Sequence, residues 1–291
     1  MSLTPESLPD HIESAPAPSP APDGLAPAML SAELDPAAPA VSVPGPPAFP
    51  AWKVWDVVAI VVFSVVIFIV FTLIALFVAR IFPQYRNASF SDLATDAKVV
   101  IGAQAAAYPI ILLFIFLIVR SRSQVSFRQA IRWNWPGATA PAFIASGVIL
   151  ALVVDSLARF LPIPKSLPMD SYFHDATSAY IMAIFGVTLA PLMEEMFFRG
   201  LLYPILDKYF GVVGGVLLTA AGFAGIHGAQ LGFAWAPVLS IFVVGVVFTV
   251  VRVKRDSVAS SFLMHCGYNL ALFSALWISS DHFRHLEKVT G

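Results

Sequence analysis

Stretches without a charged residue recur along the chain at the length of a bilayer crossing. Between Asp56 and Arg80 lie 23 such residues, between Lys98 and Arg120 there are 21, and between Arg132 and Asp155 there are 22. Each is close to the ~20 residues that cross the hydrocarbon core as a helix. From Asp175 to Asp207 the chain is apolar except for Glu194, Glu195 and Arg199, and from Lys208 to Arg252 it runs 43 residues without Asp, Glu, Lys or Arg. That second run is too long for one span. Its interior HGAQLGFAWAP stretch, His227 to Pro237, carries the Gly and Pro that break a helix and make a turn. A last run of 24 residues separates Asp256 from Asp281. Seven spans are predicted. Only helices or closed barrels satisfy the backbone inside lipid, and runs this continuous, without two-residue alternation, select helices. The expected fold class is all-α, a polytopic membrane bundle of about seven transmembrane helices.

Composition agrees with that reading: 58% of the 291 residues are hydrophobic and 12% charged, against ~25% charged in an average soluble domain. The net charge of −1 provides no field to draw nucleic acid, and the lone Cys266 leaves no internal disulfide framework. Residues 1–50 are rich in Pro and Ala and hold six acids and no Lys or Arg; they read as a disordered tail rather than a signal peptide. The membrane domain is expected at 51–280 and a short solvated tail at 281–291. The two ends of the bundle carry nine and seven Lys and Arg. The two most basic short loops share the side of the N-terminus, which is therefore expected in the cytoplasm. Gly211–Gly215 and the triplet Gly222, Gly225 and Gly228 suggest close helix packing.

Charged groups inside a span cost at least ~2.5–3.5 kcal/mol each, so the Glu194, Glu195 and Arg199 set in one helix demands a reason. Glu195 and Arg199 are four apart and share a helix face, the Glu on the favourable N-terminal side. Glu195 can thus be neutralised by Arg199. Glu194 projects ~100° away, beside a like charge in a low dielectric, a position that prepares it for proton transfer. Pro191 has no N–H to donate to Val187 and loosens the helix just upstream. The other ionisable candidates inside the spans are His227, with Phe223 four residues before it, and His265, with Asn269 four after it. Asp56 and Lys98 stand at span ends; Asp155 is deeper, and an interfacial position is expected for it too.

Helix rise tests whether these groups can meet. If spans four and five form an antiparallel hairpin turning at Asp207–Gly211, Glu194 and His227 both lie roughly 25 Å from the turn, at one depth. Counted from the Arg252–Asp256 turn, Asn269 lies roughly 19 Å in and His265 roughly 13 Å, so Asn269 falls nearer the level of Glu194 and His265 about two turns shallower. A site that polarises water needs a base, an orienting or cationic partner, and donors where the oxyanion forms. Glu194 suits the base, His227 the orienting group, and His265 with Asn269 the donors. Alternatively Glu194, His227 and His265 are candidate ligands for a Zn²⁺ that acidifies the water. The bland alternative is a polar cluster locking three helices together.

These residues resemble the CPBP intramembrane proteases, also called the CAAX protease and bacteriocin self-immunity family, which includes endopeptidases that trim prenylated proteins. EEMFFR at Glu194–Arg199 resembles its EExxxR motif, Phe223 and His227 its FxxxH motif, and His265 and Asn269 its HxxxN motif. The resemblance covers about residues 180–275. It implies hydrolysis of a peptide bond in or near the membrane, with Glu194 as base, both His essential and Asn269 assisting, so that Glu194, Glu195, Arg199, His227, His265 and Asn269 form the expected catalytic set. Zn²⁺ and a metal-free glutamate mechanism both stay open. The expected partners are membrane lipid and a membrane-associated peptide or protein substrate, prenylated or not, and no nucleic acid. An ion-coupled transporter is the alternative from another class, since intramembrane Glu, Arg and His also mark ion pathways. Its polar groups, however, would sit in spans four, five and seven only, without the paired halves of inverted repeats. A non-catalytic scaffold is the third reading. No HExxH zinc-protease helix or GxSxG nucleophile elbow is present.

Overall fold

The computed structural model describes residues 49–288; the Pro/Ala-rich tail expected at 1–50 lies outside the described residues except for Phe49 and Pro50. The described residues form helices and no strands. In chain order these are α1 (Val54–Ala79), α2 (Phe90–Thr95), α3 (Ala97–Arg122), α4 (Phe127–Ala130), α5 (Ala140–Ala158), α6 (Ala176–Val187), α7 (Leu189–Glu195), α8 (Tyr203–His227), α9 (Trp235–Arg255) and α10 (Val258–Ser279). Between α7 and α8, Met196–Leu202 is wound as a π-helix.

Six stretches are long and apolar enough to cross a membrane, and one of them, Ala176–His227, runs 52 residues. Laid straight it would reach ~78 Å, more than twice the ~30 Å hydrocarbon core. It does not run straight. Gly211 takes φ 67° and ψ 174°, a backbone state open to glycine at little cost. A Cβ on Gly215 would stand 2.9 Å from the Asp207 backbone nitrogen, although eight residues of straight helix span ~12 Å. The stretch is therefore a hairpin, and the described residues hold seven apolar segments.

The same stretch is broken a second time, at Thr188, between α6 and α7. Pro191 cannot donate to the Val187 carbonyl, which removes the bond that would carry the helix across this point. The Gly186 carbonyl instead accepts a hydrogen bond from Asn269 Nδ2 at 2.7 Å. The tightest crossing joins α5 to α10. A Cβ on Gly147 would strike the Met264 carbonyl oxygen, and one on Gly267 the Ile144 carbonyl oxygen, so the two backbones touch where both helices carry glycine. Span one has no such constraint. Along α1, Val62, Ile69 and Phe77 face outward, and a smaller set including Val57 and Ile60 packs on Ile111 and Ile115 of α3.

One end of the bundle is closed by polar contacts. Asp56, 6% exposed, accepts from the Lys53 backbone N–H at 2.8 Å and pairs with Arg122 at 2.9 Å. Arg132 and Arg252 both pair with Asp256, at 3.2 and 3.0 Å. The Ser257 hydroxyl donates to the Asn134 carbonyl. At the opposite end, Lys98 pairs with Asp175 at 2.7 Å, joining the starts of α3 and α6. Residues 281–288 there do more than trail into solvent as expected: Phe283 and Leu286 are buried with Phe173 and Ala179, because the chain turns back after α10 and lays its apolar residues on α6.

Candidate functional site

The two glutamates part as helix geometry requires. Glu195 is fully buried; its Oε1 accepts from Arg199 Nη1 at 2.8 Å and from His265 Nδ1 at 3.0 Å. Arg199, equally buried, spends its other donors on Thr249 Oγ1 at 3.2 Å and on the Gly245 carbonyl at 2.9 Å, with its guanidinium 4.6 Å from the centre of the Phe223 ring. The pair thus ties α7 to α9 and α10, and its charges face each other rather than lipid. Such further hydrogen bonds offset the cost of burying an ion pair, although Glu195 Oε2 itself has no partner among the described residues.

Glu194 points the other way, into open space. Its Oε1 lies 4.0 Å from His227 Nε2 and its Oε2 3.7 Å from His265 Nε2. Both imidazoles have their second nitrogen committed. His227 Nδ1 lies 2.8 Å from the Phe223 carbonyl oxygen, which can only accept, so the proton is on Nδ1. His265 Nδ1 faces the Glu195 carboxylate in the same sense. The Nε2 atoms of both rings are thereby aimed at Glu194. Phe223 stands edge-on to His265 and tilted against His227, and Phe248 packs on the other side of His265, fixing both rings. The F-three-residues-H spacing thus has two uses here: the Phe223 carbonyl sets the tautomer of His227, and its ring walls the site.

His265 and Asn269 exchange the depths expected of them. His265 reaches Glu194 and Glu195, while the Asn269 amide is spent on the Gly186 carbonyl. The estimate assumed α-helical rise throughout span four. It also set the Asp207–Gly211 and Arg252–Asp256 turns at one level, whereas Arg252 Nε donates to the Arg199 carbonyl at 3.2 Å, so the second turn lies deeper; the π-wound segment Met196–Leu202, with its i→i+5 turns, shortens span four further. Asn269 still lines the cavity that holds Glu194. Asp155, expected at an interface, lines that cavity too and pairs with Arg159 at 2.9 Å. The thiol of Cys266 makes no dyad with its neighbour His265, which is engaged with the two glutamates.

Two cavities meet at this carboxylate. The larger, about 860 Å³, opens at the end of the bundle opposite the Asp256 contacts, past Met169 and Leu231. The smaller, about 400 Å³, runs between α1 and the hairpin, along Val65, Phe68, Ile115 and Phe197. Glu194 and His227 line both, and so do Gln104, Tyr108 and Gln230. The last three were missed from sequence because only charged groups and histidines were sought inside the spans. An uncharged amide in an otherwise apolar run was the available signal.

Residues 176–271 match the family model for type II CAAX prenyl endopeptidases, Rce1-like. Over those residues, about a third of its length, the chain is similar to the CAAX protease family. The matched segment holds every motif residue from Glu194 to Asn269 and both halves of the hairpin. The six apolar stretches and this match together support an integral membrane protein, and the match supports a protease of the CAAX type. No curated protein and no solved structure matches the chain.

A zinc ion would require three ligating side chains converging on one point. Among the described residues no group of three His, Cys, Asp or Glu side chains does so. Glu195 is held by Arg199, which leaves Glu194 and the two imidazoles, their Nε2 atoms 4.0 and 3.7 Å from its carboxylate oxygens. Glu194, His227 and His265 are donors of the types that hold zinc, but they are not gathered as a ligand group among the described residues, and no step is derived through a metal.

Proposed function

We propose that the protein hydrolyses a peptide bond in a membrane-associated peptide or protein by water that Glu194 activates. The observation that carries this reading is the carboxylate facing two imidazole Nε2 atoms at 4.0 and 3.7 Å where two cavities meet. Those separations exceed a direct hydrogen bond and are lengths a water bridges. A water between Glu194 and His227 donates one hydrogen to the carboxylate and the other to Nε2 of His227, leaving a lone pair for the scissile carbonyl. As the C–O bond forms, Glu194 takes the proton. His265, carrying a proton on Nε2 as well as on Nδ1, donates to the developing oxyanion, and its Nδ1 contact with Glu195 stabilises that charge. Glu194 then returns the proton to the departing amine and the C–N bond breaks. Arg199 and Glu195 act through His265, and Asn269 through the α6–α7 break, as positioning residues.

The smaller cavity supports a substrate with an apolar anchor, including a prenyl chain, since its walls are mostly Val, Ile and Phe and it reaches the carboxylate along α1. The larger cavity leaves room for the peptide. The test is cleavage of farnesylated and unlipidated peptides of one sequence by the full chain in detergent. Glu194→Gln is expected to lose about 10²–10⁴-fold in rate with an unchanged melting temperature. Cleavage by Glu194→Gln at the wild-type rate would remove the reading. Activity surviving complete metal removal is expected, and loss restored by Zn²⁺ would overturn the metal-free route.

A further inference from the structure

Three polar side chains that line both cavities are not used by the hydrolytic chemistry and have no hydrogen-bond partner among the described residues. Gln104 and Tyr108 are four apart on one face of α3, and Gln230 follows α8 in the loop beyond His227. Neither side-chain amide, nor the Tyr108 hydroxyl, has a hydrogen-bond partner among the described residues. The Tyr108 ring is held nonetheless: it is 7% exposed, stacked on Phe185 at 5.5 Å and edge-on to Phe68 at 5.9 Å. Gln230 is anchored by its backbone, whose carbonyl accepts from the Met169 N–H at 3.0 Å.

All three line both cavities, as Glu194 and His227 do. A group on the walls of two adjoining cavities sits where they join, so these side chains stand around the carboxylate rather than along the outer reaches of either space. Leaving Gln104 and Tyr108 unsatisfied within a membrane span is costly, while Gln230 stands in the exposed loop at the mouth of the same space. Elsewhere in this chain such groups are matched: Arg199, Thr249, Asn269 and Ser257 all have partners. Thr219 Oγ1 and Glu195 Oε2 are also without a partner among the described residues, but neither residue lines either cavity, whereas the groups around Glu194 do.

We infer that Gln104, Tyr108 and Gln230 bind the substrate's main chain beside the scissile bond, holding the peptide extended between α3 and the Glu194–His227 face. This rests on the hydrolytic reading and adds the groups that orient the peptide. An amide offers both a donor and an acceptor, which matches a peptide group irrespective of side chain. The clamp would therefore read backbone, and selectivity would lie with the apolar cavity.

The test is kinetic, on the full chain in detergent with a farnesylated reporter peptide. Gln104→Met, Tyr108→Phe and Gln230→Met keep shape and remove hydrogen bonding. Each is expected to lower kcat/KM about tenfold, chiefly through KM. Ester analogues, in which one peptide N–H flanking the scissile bond is replaced by oxygen, identify the partner. An analogue that costs the wild type about tenfold should cost the matching variant less than threefold, a coupling that a merely structural role would not produce. Should a variant melt below the wild type, the analogue ratio within that variant still decides, since it compares two substrates on one protein. Equal analogue penalties in the wild type and all three variants would overturn the clamp. If Glu194→Gln abolishes cleavage in the same assay, the hydrolytic reading stands alone; if it does not, that reading fails first.

Discussion

The closed end of this bundle and the cavity wall toward its open end treat polar residues in opposite ways. At the closed end, Asp56, Arg122, Arg132, Arg252, Asp256 and Ser257 are engaged by one another or by backbone carbonyls, and Trp52 donates its indole N–H to the Leu201 carbonyl at 3.0 Å. Toward the open end, Gln104, Tyr108, Gln230 and Glu194 surround a cavity of about 860 Å³ and are left for water or a ligand. Polar groups that satisfy each other fix helices. Polar groups held apart by those fixed helices are free to do chemistry. Glu195 and Glu194 show the contrast one residue apart: the first is consumed by Arg199 and His265, the second aimed at two imidazole nitrogens.

The strongest way to break the comparison is to move a charge from one class to the other. Arg199→Leu leaves Glu195 buried without its cation and is expected to cost about 3–5 kcal/mol of stability, read as a fall in melting temperature in detergent. Adding Glu195→Leu should recover part of that loss, whereas Glu194→Gln should leave melting unchanged while removing activity. Recovery failing in the double variant would show that the pair does more than neutralise itself. A smaller effect is expected from Gly267→Val. Its side chain would be driven into the Ile144 carbonyl, at a cost of about 1–3 kcal/mol. Since α10 carries His265, activity should fall further than stability alone explains, and a wild-type rate in that variant would argue that the crossing does not set the site.

The smallest expected effect sharpens the open end. Burial pushes the Asp175 carboxyl up, but the hydrogen bonds from Lys98 and from the Ser178 backbone and hydroxyl outweigh it and hold the group well below the usual carboxylate range. A depressed folded-state value means that the stabilisation is complete above the unfolded value near ~4 and is lost as pH falls through the lower folded one. Asp175→Asn should therefore flatten the acid limb of the melting profile. At neutral pH it should cost less than ~1 kcal/mol, because the pair with Lys98 is about one-third exposed. An acid limb of unchanged steepness would assign it to other carboxylates.

Much of the fold was legible because lipid imposes a simple rule. Charge-free runs marked the passes, including the two inside Lys208–Arg252, since a membrane span tolerates few charges. The four-residue spacing of Glu195 and Arg199 foretold their pairing, because an α-helix and the one wider turn found here both keep such residues adjacent. Depth was less legible: the Arg252–Asp256 turn sits near the level of Arg199 and the π-wound segment at Met196–Leu202 shortens span four, neither of which residue counting contains, and His265 rather than Asn269 came to face Glu194. Uncharged Gln104 and Gln230 carried too weak a signal in an apolar chain, and the burial of Phe283 and Leu286 depends on a surface supplied by α6.

Sequence alone settled that this chain spans a membrane as helices and that one span carries an internally matched Glu and Arg beside a second, unmatched Glu, since hydropathy and helical spacing are local properties. Tertiary structure alone decided which imidazole nitrogens that second carboxylate faces, where two cavities join, and which amides remain unpaired around it. Those outcomes depend on how helices distant in the chain cross, rotate and break, and the glycine contacts of Gly147 with Met264 and of Gly267 with Ile144 exist only once the helices have met.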